Sequence, residues 1–499
     1  MSAALSGRSD DPHPGHFVMV GIDGQSLDAE QAAFLRRHRI RAVVLFRHNL
    51  VDEAGTRRLT AALRDVLGPH ALIAIDQEGG AVVRATFLPH APAAMALGAA
   101  GDASLAGQVG AAVARGVGSL GFNWNFAPVL DVNNNAQNPV IAERSFSADP
   151  TEVATLAGAW MRGAQREGVA CCIKHFPGHG DTHVDSHLDL PVVDKPRRAL
   201  DALELLPFRA LRAEAPAVMT AHIVYPQIDP NYPATLSRAL LGDLLRSEWR
   251  YDGVVITDSL VMKAICERYG HARAAVMALQ AGADMVMALG TNGEQVAAIH
   301  AIEAALGDGA LDAHELSRSR HRLDELANRF PTLPRDYASA VRDDDEALMR
   351  RAWAAGLTTL DGARPPSRDR PLRVITQRRV QGDGVSEPGL SGDRVATLFE
   401  GFASAEIVQV DDLLDVDPAL AAADGTPTVL VSNIRARYGE RARAVRPDLH
   451  VVLWNPFQAL DFAVPSVITW GYADGALHAL RAWLEGRVRA TGRSPVPLR

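Results

Sequence analysis

Eight short apolar runs, each followed by an amphipathic stretch, constrain what this chain can fold into more than any other feature. The runs are Phe17–Ile22, Ala42–Phe46, Leu72–Ile75, Asn123–Val132, Val169–Lys174, Ala217–His222, Gly253–Thr257 and Asp284–Leu289. Most are rich in Val, Ile and Met and bounded by Gly, Asp or Asn, as strands buried on both faces of a parallel sheet are. The stretches between them read as helices. Glu53–Leu67 is one. Thr151–Gly168 is another, introduced by Asp149-Pro150-Thr151-Glu152, which supplies a capping Asp, Pro at the first helical position and Glu at the third. Eight β-then-α units in succession predict an α/β protein built on a (β/α)8 TIM-like barrel.

The pattern changes near Phe330. Pro331, Pro334, Pro365 and Pro366 flank a helical segment, Glu346–Ala355, whose preceding Asp343-Asp344-Asp345 run reads as a solvated cap at its N-terminus. Strand-like runs return at Arg373–Thr376, Ile407–Val410, Thr428–Ser432, His450–Trp454 and Ser466–Trp470. The expected organisation is a barrel over 1–335, a helical and Pro-rich linker over 336–370, and a smaller α/β sandwich domain over 371–499.

Of the 499 residues, 47% are apolar and 22% charged, the balance of an ordinary globular protein. The net charge of −8 argues against a general nucleic-acid binder. Cys171 and Cys172 are adjacent and Cys266 is the only other cysteine, so no disulfide framework is implied and a reducing compartment fits. Met1–Pro14 is polar and lacks the apolar core of a signal peptide. No run of about 18 apolar residues offers a membrane span. The expectation is a cytoplasmic protein with no membrane or nucleic-acid partner and no indicated oligomer.

Barrel enzymes carry their chemistry at the C-terminal ends of the strands. Those ends supply Asp23, Asp76 with Glu78, Asp131, Lys174 with His175, His222 and Asp258. Any one carboxylate can simply cap the next helix; the accumulation is harder to explain that way. The loop from Lys174 to His187 is the richest. Its four histidines, His175, His179, His183 and His187, fall at intervals of four. On a helix that spacing would form a metal-binding face. Pro177, Gly178 and Gly180 oppose a continuous helix, so an irregular catalytic loop is expected, with no metal and no cofactor. Asp185 lies two residues before His187, close enough to fix its tautomer and raise its basicity, although Asp–His contacts also serve as plain structural glue. Asp258 ends the seventh run, where a carboxylate can attack an anomeric carbon or cap a helix. Two motifs are decoys. Gly116-Val117-Gly118-Ser119-Leu120-Gly121 has the glycine spacing of a dinucleotide site but follows a helix instead of preceding one. Cys171 and Cys172 lie inside a strand and read as core.

Several segments occur in a recognisable order: Ala74-Ile75-Asp76-Gln77-Glu78-Gly79-Gly80, Asn125-Phe126-Ala127-Pro128-Val129-Leu130-Asp131-Val132, Arg144-Ser145-Phe146, and Lys174-His175-Phe176-Pro177-Gly178-His179-Gly180 closed by Asp185-Ser186-His187. Together they resemble glycoside hydrolase family 3, and within it the β-N-acetylhexosaminidase branch of NagZ type. The resemblance spans about Gly15 to Leu289. It implies Asp258 as nucleophile, His187 as acid/base with Asp185 as its partner, and Asp76, Arg144, Lys174 and His175 as holders of the sugar hydroxyls. A departure is Ser259-Leu260-Val261-Met262, where the branch often has a second Asp or a Ser nearby. The implied function is a retaining exo-β-N-acetylhexosaminidase acting on a carbohydrate such as a muropeptide. Alternatives on the same scaffold are a phosphorylase and a β-glucosidase; a non-catalytic sugar-binding protein and a metal-dependent amidohydrolase are alternatives of other classes.

Overall fold

The computed structural model describes residues 12–187, 189–382, 386–422, 425–440 and 442–498. The stretch Met1–Asp11, most of the polar N-terminal segment, lies outside them. The chain packs as two units: Met1–Asp76 with Val117–Pro128 and Ala164–Asp336, and Gln77–Gly116 with Val129–Gly163 and Tyr337–Arg499.

The first unit is a closed barrel. Its strands are β1 (Val18–Val20), β2 (Ala42–Leu45), β3 (Leu72–Ile75), β4 (Trp124–Asn125), β5 (Ala170–Phe176), β6 (Ala217–Thr220), β7 (Val254–Ser259) and β8 (Met285–Met287). Each pairs in parallel with the next, and β8 pairs with β1. The apolar runs are strands because both faces are covered: β1 to β6 and β8 are buried along their whole lengths. Two expected boundaries change. Asn123–Val132 gives a strand of only two residues, because Pro128 has no N–H to continue a ladder. The fifth strand runs on to Phe176, so Lys174 and His175 belong to β5 and not to the loop after it. The β5–β6 register slips between Ile173 and Phe176, and the β7–β8 register slips between Ile256 and Ser259. Such bulges re-aim side chains at barrel rims. One contains Lys174 and His175, the other Thr257 and Asp258.

The second unit holds a six-stranded sheet, numbered in chain order β9 (Thr358–Leu360), β10 (Pro371–Gln377), β11 (Ser404–Val410), β12 (Thr428–Ser432), β13 (Leu449–Val452) and β14 (Ser466–Ile468). The spatial order is β9-β14-β13-β12-β10-β11, parallel except for β9. Successive residues face opposite ways. Leu372, Val374, Val429 and Val451 pack with Leu480 and Trp483 of helix Asp474–Leu484. Ile375 and Leu430 pack the other way, against Tyr438 and Phe462. The helix expected at Glu346–Ala355 runs from Ser339 to Gly356. The aspartate run is therefore inside it, and Asp345 is not a solvated cap: it is buried and receives Arg115 Nε at 3.0 Å and Nη2 at 2.5 Å. Asp149 does cap its helix, accepting from Thr151 N at 2.7 Å and Glu152 N at 3.2 Å.

Candidate active site

The bulged ends of β5 and β7 collect the titratable groups of the first unit. Lys174, whose side chain is almost wholly buried, reaches across to Asp76 just beyond β3, Nζ to Oδ1 at 2.8 Å. Asp258 accepts the Ser259 N–H at 2.7 Å. Burial pushes its carboxyl up, but the positive ends of His222, His175 and His187 and that N–H outweigh it, so its pKa lies below the ordinary aspartate value. The group is an ionised carboxylate at neutral pH. His222 is buried, with Nε2 at 2.9 Å from Ser259 O and Nδ1 at 2.8 Å from Thr235 Oγ1. A carbonyl only accepts, so Nε2 carries the proton. Burial lowers this imidazole's pKa, with Asp258 opposing.

The segment after β5 is irregular. His187 Nδ1 lies 2.8 Å from Asp185 Oδ1, and the same oxygen accepts the His187 backbone N–H at 2.9 Å. Burial raises the Asp185 pKa; the hydrogen bonds and charge of His187, and then His179, more than reverse this and hold it low. An ionised Asp185 only accepts, which puts a proton on Nδ1 and leaves Nε2 as the nitrogen that exchanges a proton with a reactant. The four histidines have different settings. His175 is buried in the strand. His179 is buried and braces the segment through Thr182 Oγ1 at 2.8 Å and Ser186 Oγ at 3.0 Å. His183 is exposed, and the His187 side chain is 38% exposed. Tyr225 donates to Gly178 O, and Lys195 holds Asp181 at 2.6 Å and the buried Glu204 at 2.5 Å. Among the described residues no three His, Cys, Asp or Glu side chains converge as a metal site.

Arg144 lies in the second unit. It makes a bidentate pair with Glu78, Nε to Oε2 at 2.9 Å and Nη2 to Oε1 at 2.8 Å, both side chains nearly buried. The turn carrying Glu78 needs Gly79: its φ is +116°, and a Cβ there would lie 2.3 Å from Pro92 O. The segment carrying Arg144 is held from later in the chain. Trp454 Nε1 donates to Glu143 Oε1 at 2.8 Å, Arg435 Nη2 to Val140 O at 2.8 Å, and Arg437 Nη1 to Ala136 O at 2.9 Å.

The structure thus pairs Lys174 with Asp76 and His187 with Asp185, and sets Asp258 within the electrostatic reach of His175 and His187. Of the other strand-end candidates, Asp23 is exposed and Asp131 is buried. Sequence reasoning gave no role to His222, whose position at a strand end was the available signal, and none to His179 or to Glu78 as the partner of Arg144. Gly116 and Gly118 lie in the last turns of helix Ala103–Ser119, and Cys171 and Cys172 are buried thiols outside any disulfide, whose pKa values burial raises. Among the described residues no helix is long and apolar enough to cross a membrane.

Comparison with known proteins agrees with this architecture. The model of the glycosyl hydrolase family 3 N-terminal domain matches residues 15–326. The chain is 39% identical over 279 residues to a beta-hexosaminidase of Alkalilimnicola ehrlichii, covering 54% of this chain and 79% of that protein. It is 38% identical over 272 residues to a beta-hexosaminidase of Pseudomonas aeruginosa, covering 54% and 80%. A family 3 beta-N-acetylglucosaminidase from Paenibacillus sp. superposes with a TM-score of 0.88 at 33% identity, covering 99% of both chains. The family match takes in the whole barrel and most of the sequence, and the chain belongs to glycosyl hydrolase family 3.

Proposed function

We propose that this glycoside hydrolase is a retaining exo-β-N-acetylhexosaminidase that releases a terminal N-acetylglucosamine. The observation that carries the reading is Asp258: a carboxylate at the rim of a barrel, kept ionised by three surrounding imidazoles. Such a group is suited to attack an anomeric carbon, since it must be a base-free anion before a sugar arrives. His187, with Nδ1 committed to Asp185, is suited to the second role. Protonated at Nε2, it gives that proton to the leaving oxygen as the C–O bond breaks and the Asp258–C1 bond forms. Neutral, it then takes a proton from water, which attacks C1 and releases Asp258. Two inversions at C1 give net retention. Asp76, Lys174 and His175 hold sugar hydroxyls in this reading, and the resemblance assigns Arg144 to the same task.

The beta-hexosaminidase and beta-N-acetylglucosaminidase relatives support hexosamine specificity, and a muropeptide or related glycan is the proposed source of the terminal sugar. A histidine base, unlike a carboxylate, does not repel an incoming anion, so phosphate is the competitor to water that needs testing. A panel of aryl β-glycosides, assayed with and without phosphate, tests the whole proposal. Faster release from the N-acetylglucosaminide than from the glucoside, giving free β-N-acetylglucosamine in both buffers, is the expected result. Preference for the glucoside, or a sugar 1-phosphate product, would replace it with one of the alternatives.

A further inference from the structure

Asp258 sits where the ladders that fix a barrel strand are interrupted on both sides. β6 and β7 pair in register from Ala217 with Val254 to Thr220 with Thr257, and the register ends there, one residue before Asp258. On the other side β7 slips against β8 between Ile256 and Ser259. A strand end released from its ladders needs other bonds to set its direction.

Those bonds converge on Ser259. Its N–H donates to Asp258 Oδ1 at 2.7 Å. The next N–H, of Leu260, donates to Met287 O on β8 at 3.0 Å. The Ser259 carbonyl accepts from Met262 N at 3.2 Å and from His222 Nε2 at 2.9 Å. The bond from His222, two residues past β6, spans the side on which the β6–β7 register has ended.

His222 is itself fixed. The segment carrying Thr235 runs back along the extension of β6: Ala234 N donates to Ile223 O at 2.8 Å and Thr235 N to Ala221 O at 3.2 Å. This sets the buried Thr235 hydroxyl 2.8 Å from His222 Nδ1, 2.8 Å from Thr220 Oγ1 and 2.9 Å from Ala221 O. The hydroxyl has one proton to give. Nε2 carries its proton toward a carbonyl, and burial favours the neutral ring, so Nδ1 is an acceptor and takes that proton. Ala221 O keeps the Thr235 N–H, and the Thr220 hydroxyl donates to Thr235. Both ring nitrogens are then committed within the protein, unlike those of His187, and the ring has one tautomer and one orientation.

We propose that His222 is a positioning residue for the nucleophile: its Nε2–H holds the Ser259 carbonyl, and through Ser259 it holds the N–H that aims the Asp258 carboxylate. The inference rests on Asp258 being the nucleophile. A carboxylate attacks an anomeric carbon only from a near-attack geometry, and a misplacement of about 1 Å can cost on the order of 10²-fold.

The test compares His222→Asn, His222→Gln and Asp258→Asn in the full chain, on an activated and a poor aryl glycoside of whichever sugar the parent releases. Rates are expressed per folded molecule. Asn is too short to reach Ser259 and keeps only a polar group near Thr235. Gln places an amide nitrogen where Nε2 stood and restores the donor. In His222→Asn, kcat and kcat/KM are expected to fall together by about 10- to 100-fold with KM within about threefold, and by the same factor on both leaving groups. His222→Gln should return to within about threefold of the parent. A merely structural histidine would lower the melting temperature and leave kcat per folded molecule unchanged. A folded His222→Asn with the parent's kcat would overturn the inference, and so would a loss confined to the poor leaving group, which belongs to proton donation. A folded His222→Gln that is impaired at least tenfold would overturn it even if His222→Asn does not fold. With Asp258→Asn inactive, each of these results leaves the nucleophile standing; a fully active Asp258→Asn would remove the nucleophile and the inference together.

Discussion

At the scale of single residues, the account rests on which groups are charged before a sugar arrives. Asp258 has a depressed pKa, so it stays ionised as pH falls through 5 and loses its charge only below the ordinary aspartate value of about 3.9. The acid limb of kcat/KM attributable to Asp258 is therefore expected below that value. An acid limb near 5 that disappears in an Asp258 variant would show a raised pKa instead. Asp258→Asn is expected to lower kcat by more than about 10³-fold with the protein still folded, since in this account it removes the nucleophile. His187→Ala is expected to cost on the order of 10²-fold or more on glycosides with poor leaving groups and far less on activated aryl glycosides, which need little proton donation. Equal losses on the two substrates would argue against the acid role.

At the scale of elements, segments rather than single side chains position these groups. The bulges in β5 and β7 carry Lys174, His175 and Asp258, and the segment after β5 is braced by His179, Tyr225 and Lys195. Arg144 sits on a segment tied down by Trp454, Arg435 and Arg437. Trp454→Phe removes the donor from the buried carboxylate of Glu143, a loss of about 1–3 kcal/mol. Hydrogen exchange of the amides around 135–147 should then speed by roughly tenfold or more; unchanged protection would mean the segment stands without that bond. Strands and helices were legible in the sequence where local chemistry decides them: Leu72–Ile75 and Glu53–Leu67 match to the residue, and Asp149 caps as its motif requires. Features set by distant partners were not legible. Asp343-Asp344-Asp345 looks like a solvated cap until Arg115, more than two hundred residues away, takes Asp345 into the interior. The Arg144–Glu78 pair and β9, a strand of three residues, depend on neighbours that no local window contains. The regular spacing of the four histidines carried no geometry because the backbone there is not periodic.

At the scale of the whole molecule, buried imidazoles couple folding to pH. His16 is pushed down to about 4, first by burial and then by the charge of Arg41; burial also lowers His13, His38, His90, His222 and His271. A group whose folded pKa lies below its unfolded value binds its proton more readily in the unfolded chain. These histidines therefore contribute stability above about pH 6.5 that is lost as pH falls toward 4. Asp185 and Asp258, also depressed, extend the loss below the ordinary carboxylate range. Urea midpoints are expected to fall steadily from pH 7 to pH 4.5, and a flat profile would show that these imidazoles are protonated in the native protein. The eight-fold succession of strands and helices made the barrel readable from the sequence, and the order of a few short segments made the family readable.

The central claim is a covalent bond between Asp258 and the anomeric carbon. Rapid acid quenching during turnover of an activated aryl β-N-acetylglucosaminide, followed by peptide mass spectrometry, tests it most directly. The account predicts one N-acetylhexosaminyl unit on the peptide containing Asp258, absent from Asp258→Asn, and a first-formed sugar product with the β configuration. No adduct with an α product, or an adduct on another residue, would contradict it.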